Sequence, residues 1–125
     1  MIVVDSSGWL EFLTDGVLAD EYANRLRQPA AVITPTIVMY EVYKHTKRLR
    51  SEEEAWDAVA AMQKTRVLPL TDELALLAAD LSLMHKLPMA DAIVLATAQA
   101  HDAEVITSDS DFADIPGVVY IPKKP

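Results

Sequence analysis

A chain of 125 residues with 11 Lys and Arg against 19 Asp and Glu carries a formal charge of −8. The length supports one domain, residues 1–125, with a core of its own, and the charge excludes an indiscriminate nucleic-acid binder. A composition 51% apolar and 24% charged excludes a disordered chain. The absence of cysteine excludes disulfides, thiolate metal sites and cysteine nucleophiles, and fits a cytoplasmic protein.

The first apolar run, Ile2-Val3-Val4, ends abruptly in Asp5, Ser6, Ser7 and Gly8. It is too short and lacks the basic flank of a signal peptide, and no apolar stretch approaches a membrane span. A run without polar alternation predicts a strand buried on both faces of a parallel sheet. Its last residue then leaves the sheet at the carboxyl edge, where open α/β folds place ligands. Asp5 is therefore a candidate for chemistry, although capping the next helix would also explain it.

Trp9 to Leu13 reads as the opening of that helix, and Thr14-Asp15-Gly16 as a break. Leu18, Tyr22 and Leu26 predict a helix over 17–28 that Pro29 stops. Ala30 to Ile33 predicts a second strand, and Thr34-Pro35 a helix start with Thr34 as the cap and Pro35 in the first turn. That helix runs to about Leu49. Ser51-Glu52-Glu53-Glu54 is a capping box opening a helix that carries Trp56, Val59 and Met62. Val67 to Leu70 predicts a third strand, placed at a sheet edge by Pro69.

Thr71-Asp72-Glu73 starts a long helix whose core face is Leu74, Leu77, Ala78, Leu81 and Met84. Leu76 and Leu83 fall elsewhere on it and suggest a second apolar contact, with another subunit. Met89 to about His101 is apolar nearly all round, which predicts a central helix. Glu104 to Thr107 and Val118 to Ile121 are the fourth and fifth strands, and Ser108 to Phe112 is an acidic, hydroxyl-rich turn. The tail Lys123-Lys124-Pro125 is expected to fray. Strands alternating with helices predict a parallel sheet covered on both faces.

Four carboxylates stand where a structural role explains them poorly. Asp5 and Asp109 each follow a strand and would emerge on one sheet edge. Glu41 interrupts the apolar stripe of Ile37, Val38 and Val42, and Asp91 lies in line with Val94, Leu95 and Ala98. A charge in a buried stripe is costly unless it is paired or holds a metal. Singly, each has a plain alternative: a helix dipole for Asp91, an Asx-turn for Asp109, a partner in Lys44 or His45 for Glu41. Together they require four separate explanations.

Converging acids repel by roughly 1 kcal/mol per pair at ~4 Å in water, and about 4 kcal/mol at a dielectric of 20. With few basic residues nearby, a divalent cation is the natural neutraliser, and oxygen ligands select magnesium or manganese. Ions of this class serve phosphodiester hydrolysis. Lys44, His45, Lys47, Arg48 and Arg50 form the only dense basic cluster, just beyond Glu41, and are the candidate RNA contacts; a solvated helix end is the alternative. His85 and His101 match no ligand spacing.

These residues resemble those of PIN-domain ribonucleases of the VapC toxin type, over essentially the whole chain. The matching pieces are Ile2 to Ser7, Glu41, Leu87-Pro88-Met89-Ala90-Asp91-Ala92, and Val105 to Phe112. The resemblance implies a three-layer α/β/α fold with a five-stranded parallel sheet of order 3-2-1-4-5. It implies magnesium-dependent endoribonuclease activity, on tRNA or rRNA, through Asp5, Glu41, Asp91 and Asp109. It places supporting hydroxyls at Ser6 and Thr107, while Asp111 is an additional acid with a supporting role. It further implies a homodimer and a cognate VapB-type antitoxin, through which alone DNA would be reached.

Two other readings compete. A receiver-like signalling module shares the length and fold class, but its phosphoacceptor Asp should end the third strand, where this chain has Pro69-Leu70-Thr71. A PIN-like binding or regulatory module without nuclease activity is the closer rival, and intact acids argue against it.

Overall fold

The computed structural model describes residues 1–123. The strands are β1 (Ile2–Val4), β2 (Val32–Pro35), β3 (Arg66–Leu68), β4 (Glu104–Thr107) and β5 (Val118–Tyr120). The helices are α1 (Ser6–Leu13), α2 (Ala19–Arg25), α3 (Thr36–Leu49), α4 (Glu52–Gln63), α5 (Asp72–His85) and α6 (Met89–Ala100). All five strands are parallel, in the order β3-β2-β1-β4-β5. This is the three-layer α/β/α arrangement anticipated above.

β1 is central because every residue in it tolerates burial. Val3 and Val4 are fully buried, with Val3 opposite Ile33 on one side and Val105 on the other. α6 packs against β1, β2 and β4, and Ala92 through Ala98 are buried without interruption. Its all-round apolarity therefore reflects a helix enclosed on every side. β3 and β5 are the edges, and Pro69 lies just past the end of β3. Among the described residues, no helix is long and apolar enough to cross a membrane.

Several boundaries differ from the sequence expectation. Pro29–Ala31 forms a 3-10 turn, and β2 starts at Val32 and runs on through Pro35. Thr34 does not cap α3. It pairs in register with Val67, and its hydroxyl lies 2.6 Å from that of Thr65. Pro35, with φ −62° and ψ 144°, is extended and precedes the first helical residue, Thr36. The β-branched run Val32-Ile33-Thr34 outweighs the local Thr-Pro signal because both faces are covered.

The second helix spans only Ala19–Arg25; the Glu11 carboxylate accepts from Leu18 N–H at 3.2 Å just before it begins. Met84, expected to face the core, is exposed, and so is Trp56. Trp56 packs edge-on against Tyr43, centroids 5.2 Å apart. Lys123 reaches Glu11 at 3.3 Å; the expected fraying of Lys124 and Pro125 lies outside the described residues.

Candidate active site

Parallel strands deliver their last residues to one edge, and β1 and β4 are neighbours. Asp5 follows β1 and is 3% exposed. Its Oδ1 accepts from the Ser7 hydroxyl (2.7 Å) and from Gly8 N–H (3.2 Å), so it does cap α1. Its Oδ2 accepts from the Thr107 hydroxyl at 2.6 Å. Thr107 Oγ1 in turn accepts from Asp109 N–H at 2.9 Å. One hydroxyl thus ties the acid after β1 to the backbone of the acid after β4. Burial pushes the Asp5 carboxyl above the usual carboxylate range, against the three hydrogen bonds that favour its charged form, and Asp109 pushes it further.

Asp91 projects from the first turn of α6. Carboxylate oxygens of Asp91, Asp109 and Asp111 all lie within 4.8 Å of one another. The Asp91 carboxyl is pushed up to about 7, first by loss of water and then by the charges of Asp109, Asp5, Asp111 and Glu41. Glu41, half-buried on α3, is raised mainly by desolvation, with Asp5 and Asp109 adding to it and the Ser6 hydroxyl opposing. The five acids therefore share one electrostatic site. Among the described residues, no Lys, Arg or His forms an ion pair with any of them.

Asp109 also accepts from Asp111 N–H at 2.9 Å, so the Asx-turn reading coexists with its place in the site. Asp111, expected in a supporting role, lies within the same 4.8 Å as Asp91 and Asp109 and is the exposed member of the three.

The two serines after Asp5 divide the work. Successive helical residues point about 100° apart. Ser7 faces β4: it bonds Asp5 and accepts from Ser108 N–H at 3.0 Å. Ser6 faces α3 and Glu41. The family resemblance picked Ser6 and Thr107 and missed Ser7; the signal was two adjacent hydroxyls on a helix whose two sides meet different elements. It also missed Tyr22, fully buried, whose hydroxyl lies 2.6 Å from that of Ser108. Gly8 permits this packing, because a Cβ there would lie 2.4 Å from the Tyr22 ring.

The basic residues of α3 also separate. Lys47 pairs with Glu52 at 3.5 Å, and Arg50 pairs with Glu54, both on α4. Lys44, His45 and Arg48 line a cleft of about 300 Å³ between α1 and α3, together with Tyr40, Ser6 and Glu41. His101 Nδ1 lies 2.9 Å from the Thr97 carbonyl, on the opposite end of α6 from Asp91.

A parallel sheet of this order, with carboxylates that have no basic partner among the described residues gathered at its carboxyl edge, defines an α/β/α domain with an acidic site. The profile of the PIN domain matches residues 2–118. The chain belongs to the PIN domain family. A search of curated protein sequences returned no match.

Solved structures agree on the fold. A chain of a toxin–antitoxin complex from Klebsiella pneumoniae is 30% identical, with a TM-score of 0.78, over 95% of this chain and 96% of that one. VapC20 from Mycobacterium tuberculosis, described as a sarcin–ricin loop cleaving toxin, is 24% identical with a TM-score of 0.78, over 97% of this chain and 98% of its own. FitAcB from Neisseria gonorrhoeae is 20% identical with a TM-score of 0.76, and each chain is covered in full, 100%.

Proposed function

We propose that the protein is a metal-dependent endoribonuclease, the toxin of a toxin–antitoxin pair. One observation carries this reading: in a PIN-domain chain, Asp91, Asp109 and Asp111 crowd within 4.8 Å, with no basic partner among the described residues. Loss of water, with the charges of Asp109, Asp5, Asp111 and Glu41 added to it, raises Asp91 to about 7, and a bound cation would relieve that repulsion. An all-oxygen donor set suits magnesium or manganese over zinc or copper. Asp5, Glu41, Asp91 and Asp109 would hold the ion, with Asp111 in reach. When bound, it supplies charge neutralisation at phosphate oxygens and acidifies water.

The chain's own residues do the rest. Thr107 and Ser7 fix Asp5, and Ser6 orients Glu41. Glu41, beside the ion, orients the attacking water and accepts its proton. The water oxygen bonds to phosphorus in line with the 3′ oxygen, the P–O3′ bond breaks, and that oxygen takes up a proton from solvent water. The products carry a 5′ phosphate and a 3′ hydroxyl, and no 2′-hydroxyl takes part.

The toxin–antitoxin origin of the 30% identical chain supports a cognate VapB-type antitoxin as partner. The same reading includes tRNA or rRNA as substrate, a homodimer, DNA contact only through the antitoxin, and a cytoplasmic location. The test is to incubate purified protein with cellular RNA in magnesium and map new 5′ ends. One dominant 5′-phosphate end, lost in Asp91→Asn, is expected. Products with 2′,3′-cyclic phosphate, or cutting retained by both Asp91→Asn and Asp5→Asn, would overturn it.

A further inference from the structure

We propose that Tyr40, Lys44 and Arg48 form the seat for a single-stranded segment of RNA beside the acidic site, with Tyr40 stacking on one unpaired base. This rests on the ribonuclease reading and adds the form of nucleic acid that the cleft accepts. Three independent observations lead to it.

The first is placement. The cleft between α1 and α3 is lined by Ser6 and Glu41, which belong to the acidic site, and by Tyr40, Lys44, His45 and Arg48. Any chain lying in it continues directly onto the carboxylates. Tyr40, Lys44 and Arg48 recur every four residues and so make one stripe, about 12 Å long at the α-helical rise.

The second is the sorting of charge. Of the four Lys and Arg side chains on and just after α3, Lys47 and Arg50 are paired with Glu52 and Glu54. Lys44 and Arg48 have no ion-pair partner among the described residues. The two cations available to phosphate are therefore the two that line the cleft.

The third is an aromatic ring in the wrong place for a core. Tyr40 is 57% exposed on the helix that carries Glu41. Lys44 Nζ stands 5.5 Å from the ring centroid, and 3.4 Å from the Tyr40 hydroxyl. An exposed ring with a cation beside it matches the two needs of a nucleotide, a π face for the base and a charge for its phosphate. A duplex keeps its bases stacked on one another and offers no free face, so the ring selects an unpaired stretch such as a loop.

The experiment measures binding of fluorescein-labelled oligo(U) by anisotropy, in magnesium, in an Asp91→Asn background so that RNA is not consumed. Tyr40→Ala is expected to weaken binding roughly ten-fold, and Tyr40→Phe to leave it unchanged. Lys44→Gln and Arg48→Gln are each expected to lower the slope of log affinity against log salt by about 0.7. Lys64→Gln, on the C-terminal end of α4, controls for net charge. With Asp91 restored, Tyr40→Ala should raise KM and leave kcat nearly unchanged.

Oligo(U) binding indifferent to Tyr40→Ala overturns the proposal, as does a blunt RNA duplex that binds equally well. Displacement by poly-glutamate as readily as by oligo(U) would mean a groove that reads charge alone, and also overturns it. Cutting that persists while binding ignores Tyr40 removes the seat and leaves the nuclease standing. Tyr40-dependent binding by a protein that cuts nothing in magnesium or manganese does the reverse.

Discussion

Asp91 shows how one side chain can be made a liability for the fold. In the unfolded chain it ionises near 3.8, and in the folded protein near 7, chiefly through desolvation. Between those values the unfolded chain gives up a proton that the folded chain keeps. The stability linked to Asp91 is therefore full below about pH 4 and is lost as pH rises through 7. Asp91→Asn should abolish cutting yet leave the metal-free protein more stable than wild type at pH 7.5. Urea melts across this pH range should show the two curves converging near pH 4. Equal stability of the two proteins at pH 7.5 would mean that Asp91 bears no such strain.

Thr107 is the complementary case, a neutral residue on which two acids depend. It is fully buried, donates to Asp5 and accepts from Asp109 N–H. Thr107→Val removes both bonds and leaves a buried carboxylate short of a donor, at a cost of about 1–3 kcal/mol. Thr107→Ser keeps both. Cleavage and chemical denaturation of the two variants should therefore diverge, with Ser close to wild type in both measurements.

At the scale of elements, the covered parallel sheet and the alternation of strands and helices were legible because burial leaves a plain mark, whereas the strand order came only with the family resemblance. Ile2-Val3-Val4 and Val105-Ile106 have no polar alternation, and only a covered parallel sheet accommodates that. The approach of Asp5 to Asp109 followed from strand ends meeting at one edge, and Glu41 and Asp91 stood out as charges on apolar faces. The boundary between β2 and α3 was not legible. Thr34-Pro35 has the local signature of a helix start, and only pairing with β3 extends the strand through it. Ser7 and Ser6 were indistinguishable for a similar reason, since their difference lies in what packs on each side of α1. Likewise nothing local separates Lys44 from Lys47; the partner of Lys47 lies on the next helix.

One element carries avoidable strain. α5 ends at Lys86, which adopts φ 56° and ψ 43°, the left-handed conformation that favours glycine. Lys86→Gly should raise stability by about 1 kcal/mol, since the relief outweighs the added freedom of the unfolded chain. A denaturation midpoint unchanged or lowered would show that the left-handed geometry carries no penalty here.

At the scale of the whole molecule, two further surfaces are not used by the fold itself. On α5, Leu76 and Leu83 are 71% and 84% exposed, about two turns apart, with Met84 beside them. The proposed homodimer gives them a partner. Leu76→Glu with Leu83→Glu should convert a dimer to a monomer in light scattering, with little change in monomer stability because the side chains are already in water. A wild-type protein that is monomeric at micromolar concentration would exclude this face.

The other surface is the acidic edge, in a molecule whose net charge of −8 already opposes compaction. A cation held there binds the folded chain alone, so it must stabilise the fold as well as serve the reaction. At a concentration 100 times its Kd the gain is about 2.7 kcal/mol, or roughly 10 °C in melting temperature for a domain of this size. Magnesium or manganese should produce that rise at pH 7.5. At pH 5 the rise should shrink, because Asp91, with its carboxyl near 7, then carries a competing proton. Asp91→Asn should lose most of it at both values. Potassium chloride at matched ionic strength separates binding from screening, since screening acts on every acid while binding needs these particular ones. If potassium chloride raised the melting temperature as much as magnesium does, and Asp91→Asn responded like wild type, the carboxylates would be neighbours without forming a site.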